Sequence, residues 1–105
     1  MTNQTIGKTK AKETARGIRV WIEGTKVFNA GFAPGESFGV AYDFEAREVS
    51  ILKGGDRKVS GSYRGDKPRP IIDLVSQSNA RIFEPGQPLL VTYEQDLITI
   101  RGANG

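Results

Sequence analysis

Eleven of the fifteen lysines and arginines in this chain fall in two short stretches. Lys8, Lys10, Lys12, Arg16 and Arg19 form the first, against Glu13 alone. Lys53, Arg57, Lys58, Arg64, Lys67 and Arg69 form the second, against Asp56 and Asp66. Elsewhere acids prevail, with Glu36, Asp43, Glu45, Glu48, Glu84, Glu94 and Asp96 close to turns. Two basic segments on a mildly acidic body suit contact with a polyanion, where cations neutralise phosphates and release counterions. The competing reading is ordinary solvated charge on a tail and a polar loop. Trp21 and Tyr63 lie near these cations in sequence and are the candidate surfaces for base stacking.

Other chemistry is poorly provided for. The chain has no Cys, which removes disulfides, thiolate nucleophiles, cysteine zinc sites and iron–sulfur clusters. It has no His, the commonest general base and metal ligand. Gly54-Gly55-Asp56-Arg57-Lys58 is Gly-rich and basic but lacks the Gly-Lys-Ser/Thr ending of a phosphate-binding loop. The spacing of Asp43, Glu45 and Glu48 fits no calcium loop. We therefore expect no metal, no cofactor and no enzymatic activity. RNA cleavage would have to rest on Arg57 or Lys58 with Asp56, a pairing that specifies no mechanism.

The elements that must position these residues are strands. At 105 residues the chain has room for one domain. Its apolar runs are too short to cross a membrane, and residues 1–17 contain no apolar stretch of a secretory signal, so a cytoplasmic location is expected. Residues 1–17 read as a disordered basic tail. Ordered structure is expected from Ile18, where Ile18, Val20 and Ile22 alternate with Arg19, Trp21 and Glu23 as a half-buried strand. Trp21 falls on the face opposite the aliphatics, and a second core layer is slightly favoured for it over an exposed surface. A connector with one helical turn follows, with Val27 and Phe28 inward, Gly31 as its stop and Pro34-Gly35 as a type II turn. Phe38, Val40, Tyr42 and Phe44 then mark a strand, residues 43–48 a charged hairpin loop and residues 49–53 its return. Residues 57–63 form a further short strand before a loop over residues 64–70.

The pattern then recurs. Pro70, Ile72 and Leu74 match Ile18, Val20 and Ile22, and Phe83-Glu84-Pro85-Gly86 matches Phe32-Ala33-Pro34-Gly35. Leu89, Val91 and Tyr93 match Phe38, Val40 and Tyr42, and Ile98-Thr99-Ile100 matches Val49-Ser50-Ile51. Two repeats, 18–53 and 70–101, are thus separated by a basic segment, 54–69, within one β domain of residues 18–105. One repeat is too small to bury a core, so the two must close on each other, most economically as a small barrel with interleaved hairpins.

The stretch Ile18-Arg19-Val20, Gly24, Val27-Phe28-Asn29-Ala30-Gly31-Phe32-Ala33-Pro34-Gly35, Val40, Tyr42 and Val49-Ser50-Ile51 resembles the SymE-like domain of the AbrB-type swapped-hairpin β-barrels. The resemblance covers residues 18–53 and, more weakly, 70–101. It implies an all-β fold, a small swapped-hairpin barrel of two pseudo-symmetric repeats with little helix. It also implies a nucleic-acid-directed role, since AbrB-type domains bind duplex DNA as dimers and SymE-like proteins are associated with RNA cleavage or nucleoid binding. Two copies in one chain would form an intramolecular pseudo-dimer, with a homodimer as the alternative. The expected function is a nucleic-acid-binding module in a regulatory or toxin-like role, with duplex DNA favoured. Arg19, Lys26, Arg57, Lys58, Arg64, Lys67 and Arg69 are the expected phosphate contacts, with Lys8, Lys10, Lys12 and Arg16 adding contacts from the tail. An RNA-directed module is one alternative. The other is a small, phage-type protein-interaction module that modulates a host enzyme through residues 43–48.

Overall fold

A computed structural model describes residues 4–103. Alternation builds most of its strands. In β2 (Gly17–Glu23) Ile18, Val20 and Ile22 are buried, whereas Trp21 and Glu23 are exposed and Arg19 is half-buried. That is the pattern of a strand with one face on a core. The same rule builds β3 (Ser37–Asp43), β4 (Glu48–Lys53), β8 (Pro88–Glu94) and β9 (Leu97–Gly102). Two short helices interrupt the strands. In α1 (Thr25–Asn29) Val27 is buried, and Gly31, at φ 103, turns the chain away. In α2 (Gln77–Ala80) the Ser76 hydroxyl caps the N-terminus by accepting the Asn79 N–H. Phe28, expected to face inward, is exposed, because so short a helix turns only one side to the barrel.

Each helix leads into a Pro-Gly turn. The Glu36 N–H donates to the Ala33 carbonyl with Gly35 at φ 91, and the Gln87 N–H donates to the Glu84 carbonyl with Gly86 at φ 78. Both have the positive φ at the third residue that a type II turn requires.

The strands form a nearly closed antiparallel barrel in the order β5-β3-β4-β9-β8-β1-β2-β7-β6. Hairpins from the first and second halves of the chain alternate around it, so the halves interleave. Two strands turn the corners between a larger and a smaller sheet. β1 (Thr5–Thr14) pairs with β8 over residues 5–10 and with β2 over residues 11–14. At the other corner β5 (Arg57–Lys58) pairs with β3. One residue later, β6 (Ser60–Arg64) pairs with β7 (Lys67–Ser76). The bonding at the two corners is alike. Gly35 donates to the Val59 carbonyl and Val59 donates to Glu36, while Gly86 donates to the Ala11 carbonyl and Ala11 donates to Gln87. Val59 and Ala11 are both buried in the core, beside Phe32, Phe83, Ile51, Ile98 and Leu74.

Three further expectations are corrected. The N-terminal segment is not a disordered tail but the strand β1, and residues 1–3 of it lie outside the described residues. Its poverty in apolar residues reflects the space beneath it. Gly7 and Ala11 are its buried positions, and a Cβ on Gly7 would lie 3.0 Å from the Tyr93 ring. Residues 64–70 are not a loop either, because β7 begins at Lys67 after the turn at Gly65-Asp66. Trp21 is no core residue. It lies on the outer face of β2, 39% exposed. No helix among the described residues is long and apolar enough to cross a membrane.

Candidate nucleic-acid interface

Strand register gathers most of the predicted cations on one surface. In the smaller sheet, β2 pairs with β7 so that Arg19 faces Val75 and Trp21 faces Asp73. β7 pairs with β6 so that Arg69 faces Ser62 and Lys67 faces Arg64. Partners across an antiparallel pair share a face, and so do alternate residues along a strand. Arg19, Trp21, Ser62, Arg64, Lys67 and Arg69 therefore all lie on the outer face of this sheet. Lys58, two residues before Ser60, continues the row at the corner and donates to the Ser37 hydroxyl at 3.1 Å.

β1 adds a residue that composition had assigned only to a tail. Lys12 stands directly opposite Arg19. The sheet thus carries two cation–cation pairs, Lys12 with Arg19 and Arg64 with Lys67. Like charges directly opposite destabilise a sheet. Asp73 offsets the first pair in part, its Oδ1 accepting from Arg19 Nε at 3.0 Å. The Arg19 guanidinium also lies 5.9 Å from the centre of the Trp21 ring, which orders both side chains at the surface. Among the described residues Arg57, Lys58, Arg64, Lys67 and Arg69 take part in no ion pair. The acids on the same face are Glu23 and Asp73, with Asp66 in the β6–β7 turn.

Three predicted residues fall elsewhere. Lys26 sits on α1, where its ammonium donates to the Ile6 carbonyl at 3.2 Å. Arg57 pairs with Phe38 on the larger sheet. Tyr63 is 56% exposed but pairs with Pro68 on the other face of the β6–β7 hairpin, so it and Trp21 form no common stacking surface.

The chain matches no known family model, no curated protein and no solved structure. The functional reading therefore stands on this surface and its chemistry.

The acidic hairpin at residues 43–48 is tied to the second half of the chain. Arg47 donates to the Ile82 carbonyl at 2.8 Å, and the Arg81 guanidinium lies 4.2 Å from the centre of the Phe44 ring. Phe44 in turn stacks on Tyr42 at 6.0 Å. Lys53 makes a second tie to that half through Asp96, 3.8 Å away, and within its own half donates to the Gly31 carbonyl and lies 3.7 Å from Glu36. Among the described residues no three carboxylates converge to hold a metal ion.

Proposed function

We propose that this protein is a nucleic-acid-binding module that takes duplex DNA foremost, holding its phosphates on the outer face of the smaller sheet. The observation that carries this reading is the pairing of Lys12 with Arg19 and of Arg64 with Lys67 on one face. Such pairs cost stability in the free protein and gain from an anion placed between them. Arg69 and Lys58 extend the same row, and Trp21 adds an aromatic surface. A regulatory or toxin-like role follows from the resemblance to SymE-like and AbrB-type domains. The interleaved hairpins and the like bonding at Val59 and Ala11 support our view of the chain as two copies forming an intramolecular pseudo-dimer.

The test is fluorescence anisotropy with labelled duplex DNA, single-stranded DNA and single-stranded RNA across a salt series. Duplex binding should be tightest and should weaken linearly on logarithmic axes as salt rises. Lys12→Ala and Lys58→Ala should each lower the salt slope by about one. No binding to any of the three at moderate salt overturns the proposal.

A second reading, a protein-interaction module, is favoured by the outer face of the larger sheet. There Ile6, Thr92, Thr99, Ser50 and Ala41 form one uncharged row across five strands. Ile6 is 56% and Leu52 42% exposed beside it. A charge placed in that row by Thr99→Lys leaves DNA binding unchanged on the first reading and abolishes partner binding on the second.

A further inference from the structure

The β6–β7 hairpin differs from the rest of the barrel. Its strands pair from Ser60 with Ile71 to Arg64 with Lys67, and the turn at Gly65-Asp66 has Gly65 at φ 64. Every residue from 60 to 67 is exposed, and β6 packs chiefly against β7. β2 covers β7 only from Ile71 onward. Toward its tip the hairpin is an exposed two-stranded ribbon over residues 60–67, while at its base Pro70 is buried and α1 packs beside β7.

Its two faces differ in chemistry. Ser62, Arg64, Lys67 and Arg69 share one face, and Gly61, Tyr63, Pro68 and Pro70 share the other. The edge of β7 away from β6 is closed to a further strand. The Pro70 carbonyl accepts from Gly24 on that side, so the ring nitrogens of Pro70 and of Pro68, two residues back, face the same way. Neither carries an N–H to offer an added strand. Along that edge, recognition must come from side chains.

We infer that this ribbon enters the major groove of B-form DNA with Ser62, Arg64, Lys67 and Arg69 toward the base edges. The inference rests on the duplex-binding reading above and names the groove and the element that reads it. Two strands about 4.8 Å apart with their side chains fit a groove about 12 Å wide. Five residues reach about 17 Å, more than the groove depth of about 8.5 Å. Arg64 and Arg69 are the residue type that bonds guanine O6 and N7 in pairs, and the Ser62 hydroxyl can donate or accept at either base pair. The major groove of A-form RNA is too deep and narrow for such a ribbon, so duplex RNA should bind worse.

The experiment uses the full chain and three labelled duplexes of one sequence: unmodified DNA, DNA carrying glucosylated 5-hydroxymethylcytosine, and RNA. The glucosyl groups fill the major groove and leave the phosphates and the minor groove untouched. We expect both the glucosyl groups and the RNA duplex to weaken binding by about tenfold. Netropsin in the minor groove should change it by less than about twofold. The variant Arg64→Ser/Lys67→Ser, checked for an unchanged β-sheet circular dichroism spectrum, should bind plain and glucosylated DNA equally. Tight binding indifferent to the glucosyl groups and blocked by netropsin overturns the groove assignment and leaves the duplex reading standing. No binding to unmodified DNA removes both.

Discussion

Lys12 on β1 and Arg19 on β2 are direct cross-strand partners, two cations on one face of the smaller sheet with Asp73 bonded to only one of them. Replacing one cation relieves repulsion and, on the proposed DNA-binding function, removes a phosphate contact. Lys12→Thr should therefore raise stability by about 0.2–1 kcal/mol while weakening DNA binding. Urea melts and anisotropy titrations of the same preparation check the two opposite signs. A loss of both stability and affinity would show that Lys12 is structural.

Gly61 fixes the base of the β6–β7 ribbon. It sits at φ 119, and a Cβ there would lie 2.1 Å from the Arg69 carbonyl oxygen, in the backbone of the paired strand. Gly61→Ala should open the ribbon at a cost of about 1–3 kcal/mol of local strain. Hydrogen exchange should accelerate over residues 60–67 and stay slow in β4 and β9. Unchanged protection over the ribbon would refute this role for Gly61.

How much of this was legible in the sequence depended on what lay beneath each strand. The Ile18, Val20, Ile22 alternation and both Pro-Gly turns announced themselves because large aliphatics and special φ values leave clear residue signatures. β1 did not, since it buries Gly7 and Ala11, and its outward Lys8, Lys10 and Lys12 read as a solvated tail. Lys12 was missed as a partner of Arg19 for the same reason, since register joins residues that composition cannot. Strand parity puts Trp21 opposite three buried aliphatic neighbours, as the alternation indicates, but the second core layer that its size suggests over that face is not formed among the described residues, and it lies 39% exposed. Arg57 and Lys58 are adjacent in sequence and so point to opposite sides of their strand.

Among the described residues Asn79 is the one buried polar side chain. Its Nδ2 donates to the Ile18 carbonyl at 2.9 Å and to the Leu74 carbonyl at 3.0 Å, bracing α2 against β2 and β7, and its Oδ1 has no partner. Asn79→Ala leaves those carbonyls without a donor and should cost about 1–3 kcal/mol. Asn79→Asp replaces the donor with an acceptor and should cost more at neutral pH than at low pH, where the carboxyl is protonated and can donate again. Equal costs for the two variants at pH 7 would contradict the bracing role.

Burial pushes the Tyr93 phenol above its usual pKa of 10.0. The unfolded chain then releases this proton at lower pH than the folded one. The neutral phenol's contribution is complete below the unfolded pKa and is lost as pH rises toward the folded value. Stability should fall above about pH 10, and Tyr93→Phe should flatten that part of the curve. Chemical denaturation between neutral and strongly alkaline pH checks it, and an identical slope in the variant would assign the loss elsewhere.

β9 is paired on both sides, with β4 from the first half of the chain and with β8 from its own. As the chain emerges from the ribosome, β4 therefore keeps an open hydrogen-bonding edge until residues 97–102 arrive. β1, though made first, lacks its β8 partner for nearly as long. Pairings that span most of the chain also make for slow closure. The nascent protein is thus a set of unsatisfied strand edges for most of its synthesis, the interval in which chaperones guard it or aggregation claims it.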